Sequence, residues 1–142
     1  MVKYGYAKTK EEAINGYINN AWLKSKYIAP ETAIKAILDS GGVPVLAHPV
    51  YGSGDQIIVG DEMDERLRHL IDRGLKGVEA FYSGFSIRLI KEMLYFAERY
   101  GLYVTAGSDY HGTNKLVELG DTGFDPGIEA PEGMKRFFSD VL

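Results

Sequence analysis

Apolar positions in this chain recur in two rhythms, and the two alternate. Residues 43–47, 77–82 and 102–106 are short, nearly continuous apolar runs of strand length. Around them, apolar side chains return every three or four positions, the spacing of one helix face. Ile34, Ile37 and Leu38 make one such inward stripe, and Met63, Leu67, Leu70 and Ile71 a second. Ile90, Met93, Leu94 and Ala97 make a third, and Met134, Phe137, Phe138 and Val141 a fourth. The punctuation agrees with these elements. Thr9-Lys10-Glu11-Glu12 has the form of a capping box and predicts a short helix running toward Ile18. Pro30 suits a first helical turn, and Gly41-Gly42 suits a stop. Asp61, and either Ser83 or Ser86, are candidate caps, while Gly74 and Gly101 close helices and Pro131 opens the last one. Residues 19–27 read as a connection anchored by Trp22 and Tyr27, and residues 113–127 are polar and glycine-rich without a period.

Strands that alternate with helices predict an α/β fold, and near-continuous apolar strands predict a parallel sheet covered on both faces. Each strand then delivers polar groups at its C-terminal end. The first delivers His48, the second Tyr82 and Ser83, and the third Ser108, Asp109 and His111. The C-terminal edge of a parallel sheet is where such folds place their sites. Asp109 and His111 stand two positions apart on a turn between glycines, so a carboxylate and an imidazole can face the same way. His48 follows a strand and precedes Pro49, which favours an extended backbone at the strand tip. It is a metal ligand or a turn histidine bonded to a carbonyl. Glu79 lies mid-strand among apolar neighbours and needs a partner: it orients a ligand histidine from behind or pairs with a lysine or arginine. His69 lies among Arg66, Arg68, Asp72 and Arg73 and reads as solvated, while Asp55 reads as a turn residue.

Composition narrows the chemistry. The chain has 142 residues, 45% of them hydrophobic and 25% charged, enough for one domain spanning residues 1–142. A net charge of −4, with signs interspersed, gives no basic face for nucleic acid. Without cysteine there are neither disulfides nor thiolate metal ligands. No apolar run reaches membrane-spanning length, and no signal-peptide pattern opens the chain; the expectation is a soluble, cytoplasmic protein. A phosphate-binding loop, a dinucleotide fingerprint and a serine nucleophile elbow are all absent. What remains is one histidine plus Asp-x-His, donors suited to Zn, Mn or Fe, with Mg a further candidate. Water activated by such a metal and attacking a phosphoester would use these residues directly.

Three stretches carry a resemblance to a known family. They are Gly41-Gly42-Val43-Pro44-Val45-Leu46-Ala47-His48-Pro49, then Gly77-Val78-Glu79-Ala80-Phe81-Tyr82-Ser83, then Ala106-Gly107-Ser108-Asp109-Tyr110-His111-Gly112-Thr113-Asn114-Lys115, with Leu119-Gly120 after. In order and spacing they resemble the PHP (polymerase and histidinol phosphatase) domain, a family of metal-dependent phosphoesterases. The resemblance is densest over residues 30–120, with 121–142 a tail ending in a helix. It implies the C-terminal half of a distorted seven-stranded β/α barrel with metal ions at the C-terminal mouth. It places His48, Asp109 and His111 on metal-binding motifs, with Asp109 and His111 catalytic. Tyr82, Ser83 and Ser108 fall on the side where a phosphorylated small molecule or nucleotide would sit.

The departures matter as much. The family's barrel opens with a strand bearing His-x-His, and nothing before His48 supplies it among only three histidines. Where some relatives carry Gly-Arg after Ala-His-Pro, this chain has Val50-Tyr51. The expectation is therefore a partial metal site with little turnover on its own, completed by a missing N-terminal half or shielded by self-association. A non-catalytic PHP-like module with a structural or interaction role is the alternative, and an unrelated α/β binding protein a third reading.

Overall fold

A computed structural model describes residues 1–18, 28–52 and 56–141. Trp22, Tyr27 and Asp55 lie outside the described residues. The first turn is a 3-10 helix, Val2–Tyr4, followed by helix α1, Lys10–Ala13, and a π-helical turn, Ile14–Ile18. The Thr9 side chain accepts a hydrogen bond from the Glu12 amide at 3.1 Å, as a capping box requires. The return bond is displaced by one residue: Glu12 Oε2 accepts from the Lys8 amide at 2.7 Å.

The rest alternates as expected: α2 (Pro30–Asp39), β1 (Val45–Leu46), α3 (Gly60–Ile71), β2 (Gly77–Tyr82), α4 (Ile87–Tyr100), β3 (Tyr103–Gly107) and α5 (Glu132–Val141). The three strands are parallel in the order β1-β2-β3, so their C-terminal ends share one edge of the sheet. β2 is the central and most buried strand; α4 packs on β2 and α5 on β3. Met63 and Leu67 of α3, Met93 of α4, Val78 of β2 and Val104 of β3 are fully enclosed and form the centre of the core.

Several expectations need correction. Asp61 is not a cap: α3 begins at Gly60, whose amide donates to Glu92 Oε1 at 2.6 Å, so a carboxylate from α4 satisfies that helix end. Ser86, not Ser83, caps α4, accepting from the Leu89 amide. Phe96 replaces Leu94 in the buried face of α4. Of the stripe on α2 only Ile34 is buried, while Ile37 and Leu38 are 40% and 37% exposed beside the short edge strand β1. On α5 only Met134 of the stripe is buried, and Phe138 is 59% exposed. These end helices have core on one flank only, which is why their stripes are half covered.

Candidate functional site

The turn that leaves β1 carries His48, and the turn that leaves β3 carries Asp109. Both have left-handed backbone, φ +31° and +50°, and among the described residues no other non-glycine has positive φ. His48 is therefore not extended as Pro49 led us to expect. Such conformations cost of order 1–3 kcal/mol each and persist where the surroundings impose them. Here the surroundings can be named. Glu79 Oε2 accepts from the His48 backbone amide at 2.7 Å. The other oxygen of Glu79 lies over Gly107, where a Cβ would come within 2.0 Å of it. One mid-strand carboxylate thus bonds the backbone of His48 on one side and fills the space beside Gly107 on the other.

Tyr82, the last residue of β2, links the two outer strand ends. Its ring meets the His48 ring edge-on at 5.8 Å, and its hydroxyl donates to Asp109 Oδ2 at 3.3 Å. The register of β2 against β3 shifts between Glu79 and Phe81, so an irregularity just below the site re-aims the strand end. Ser83 completes the link, its hydroxyl donating to the carbonyl of the buried Ser108 at 3.2 Å.

Asp109 is the most engaged group. His111 Nε2 lies 2.9 Å from Oδ1, and Lys115 Nζ lies 2.5 Å from Oδ2. Lys115 also donates to the Tyr82 hydroxyl at 2.6 Å and sits over its ring, 5.0 Å from the centroid. The hydrogen bonds from Lys115 and then His111 hold the Asp109 carboxyl down to about 2. Asp109, followed by the Tyr82 hydroxyl, pushes the Lys115 ammonium above its ordinary value.

The sequence-level candidates therefore meet at one edge, but not as one ligand set. Among the described residues, no three His, Asp or Glu side chains converge into a group able to hold a metal ion. Asp109 and His111 touch; His48 reaches them only through Tyr82. Lys115 was missed by sequence reasoning. A single cation six residues after Asp109, beyond a glycine turn, is the signal that could have found it. His69 is exposed and pairs with Glu31, as its solvated reading implied.

No family model matches the sequence. Individual proteins do. Over 98 residues, 69% of this chain, it is 34% identical to the phosphoribosyl 1,2-cyclic phosphate 1,2-diphosphodiesterase of Eggerthella lenta, covering 33% of that protein. Over 100 residues it is 32% identical to the 3',5'-nucleoside bisphosphate phosphatase of Chromobacterium violaceum, covering 30% of it. A crystal structure from Bifidobacterium adolescentis, assigned as a metal-dependent phosphoesterase, superposes with a TM-score of 0.61 at 29% identity, over 85% of this chain and 42% of that one. The chain is homologous to the PHP-type phosphoesterases. A structure called an amidohydrolase from Chromobacterium violaceum, with sulfate bound and no metal, matches at a TM-score of 0.59 and 26% identity, over 82% of this chain and 40% of that one. The chain spans about a third of the length of the curated relatives it matches. Its fold is α/β with a parallel three-stranded sheet, and among the described residues no helix is long and apolar enough to cross a membrane.

Proposed function

We infer that the intact protein hydrolyses phosphoesters with a divalent metal requirement, and that this chain carries the C-terminal part of its catalytic edge. The observation that carries the reading is the Asp109–His111 pair, 2.9 Å apart at the end of β3, beside the ends of two parallel strands. Carboxylate and imidazole are the donor types that Zn, Mn and Fe accept. A catalytic metal of this kind polarises the phosphoryl group and supplies a nucleophile from water. The described residues fit part of such a site and not the whole. Asp109 and His111 would be its donors here, with His48 at the end of β1 as a further one.

The names of the relatives support a phosphorylated small molecule, including nucleotides, as substrate: one acts on a cyclic phosphate diester, another on a nucleoside bisphosphate. In this reading Tyr82, Ser83 and Ser108 form the floor on which substrate rests. Their hydroxyl and carbonyl contacts fix the distance between the β2 and β3 ends. Glu79 acts through the backbone of His48 rather than through its ring.

The test is hydrolysis of p-nitrophenyl phosphate, a cyclic nucleoside phosphodiester and a nucleoside bisphosphate by the intact protein, in Mn²⁺ and in EDTA. We expect metal-dependent release from at least one of them, lowered about a hundredfold or more by His111→Ala. Full activity in EDTA overturns the metal requirement. Residues 1–142 alone are expected to turn over little, and robust activity from them, lost in His111→Ala, overturns that part.

A further inference from the structure

The turn that leaves β1 carries an aromatic ring outside both the donor set and the substrate floor. Tyr51 is 36% exposed, whereas Tyr82 and Phe85 beside it are buried. Its ring centroid lies 5.7 Å from that of Tyr82, 5.9 Å from that of Phe85 and 6.4 Å from that of His48. The three contacts are inclined at 72°, 53° and 47°, so none of these rings lies flat against Tyr51. A part-exposed ring without a stacked neighbour is a surface for another planar group.

This ring is held in place. Its hydroxyl donates to the Gly84 carbonyl at 3.3 Å, and a Cβ on Gly84 would come within 2.8 Å of that hydroxyl, so the glycine leaves the room it fills. The backbone is fixed as well. Tyr51 forms an antiparallel bridge with Ile57, and the Ile58 amide donates at 2.8 Å to the carbonyl of the fully buried Val50. An anchored tyrosine loses little freedom when a ligand stacks on it. Tyr82 joins the exposed ring to the strand ends: its own ring meets Tyr51, and its hydroxyl reaches Asp109. One side chain thus spans the gap between Tyr51 and the Asp109–His111 pair. A nucleotide has the same layout, with a planar base and a phosphate separated by one sugar.

We propose that Tyr51 is the surface on which a nucleobase, or another planar aromatic group of the phosphoester, stacks, and that it makes this edge favour such compounds over aliphatic phosphates. This rests on the reading of the strand-end edge as the phosphoester site and adds the chemical class of the organic part. It requires no metal.

The experiment compares adenosine 5'-monophosphate with ribose 5-phosphate, which share sugar and phosphate and differ in the base, by NMR titration of the 142-residue chain in EDTA. The nucleotide is expected to bind about tenfold more tightly, the range that stacking one base on an aromatic side chain supplies. Tyr51→Leu is expected to bring the two ligands within about twofold, and Tyr51→Phe, which keeps the ring, to retain most of the preference. Tyr95→Leu removes an exposed tyrosine on α4 and is expected to retain it in full. Circular dichroism confirms that each variant folds. Without any variant, nuclear Overhauser contacts between the adenine protons and the Tyr51 ring are expected in the parent. Equal affinity for the two ligands, no nucleotide binding at millimolar concentration, or bound nucleotide without those contacts overturns the proposal. So does a preference undiminished in Tyr51→Leu, or an equal loss in Tyr95→Leu. A preference carried by Tyr51 in a protein whose intact form hydrolyses no phosphoester supports the stacking surface and refutes the phosphoesterase reading, so the two failures are distinct.

Discussion

Single residues at this edge are constrained by one another more than by the core. Gly107 shows it best, because the Glu79 carboxylate fills the space a side chain would need. Gly107→Ala is expected to lower stability by about 1–3 kcal/mol, measured by urea unfolding. Glu79→Ala in the same chain should relieve part of that loss, a coupling of about 0.5–3 kcal/mol, and strict additivity would refute the contact. The sequence showed that Glu79 needed a partner, since a mid-strand carboxylate among apolar residues is costly. It could not show that the partner is the amide of His48, because every residue carries an amide and only the register of β1 on β2 selects this one. The same limit hid Lys115. Its contact with Asp109 depends on a turn whose path no periodicity records.

Elements were legible where burial is strong. The second strand, residues 77–82, and the Gly101 end of α4 follow directly from apolar runs and capping chemistry, whereas its start was left between Ser83 and Ser86. Stripes on α2 and α5 misled because period reports which face is apolar, not whether anything covers it. Inside the core the expectation is plain: Leu67→Ala should cost about 2–5 kcal/mol by urea unfolding, since Leu67 is fully enclosed. Asp64 of α3 makes a polar link to α4. It accepts from the Tyr100 hydroxyl at 2.5 Å and pairs with Arg99 at 3.1 Å and Arg68 at 3.0 Å. The Tyr100 hydrogen bond, then the charges of Arg99 and Arg68, hold its carboxyl below the ordinary 3.8. A carboxyl depressed in the folded state stabilises it above the unfolded pKa, and that contribution disappears as pH falls through the folded value. The stability gap between the parent and Asp64→Asn should therefore be full at neutral pH and close as pH drops below about 3.8. A gap independent of pH from 7 to 2 would contradict the link.

At the scale of the molecule, the chain is an α/β segment whose sheet has β1 and β3 as its edges among the described residues. An apolar groove beside β1, lined by Ile34, Ile37, Pro44, Leu46, Leu70 and Leu75, lies open with a volume of about 360 Å³. Exposed apolar faces favour association. Sedimentation of the 142-residue chain should show mass rising with concentration, and a strict monomer at high concentration would count against it. The family resemblance was readable in the sequence from its motifs, and the phosphoesterase relatives agree with it. The central claim is that Asp109 serves a metal-dependent phosphoesterase. Its most direct test is bound metal and phosphoester turnover measured together on the intact protein and its Asp109→Asn variant, since asparagine keeps the left-handed backbone while removing the charge. The account predicts that metal content and turnover both fall in the variant, turnover by about a hundredfold or more. An Asp109→Asn protein with full metal and undiminished turnover would contradict it.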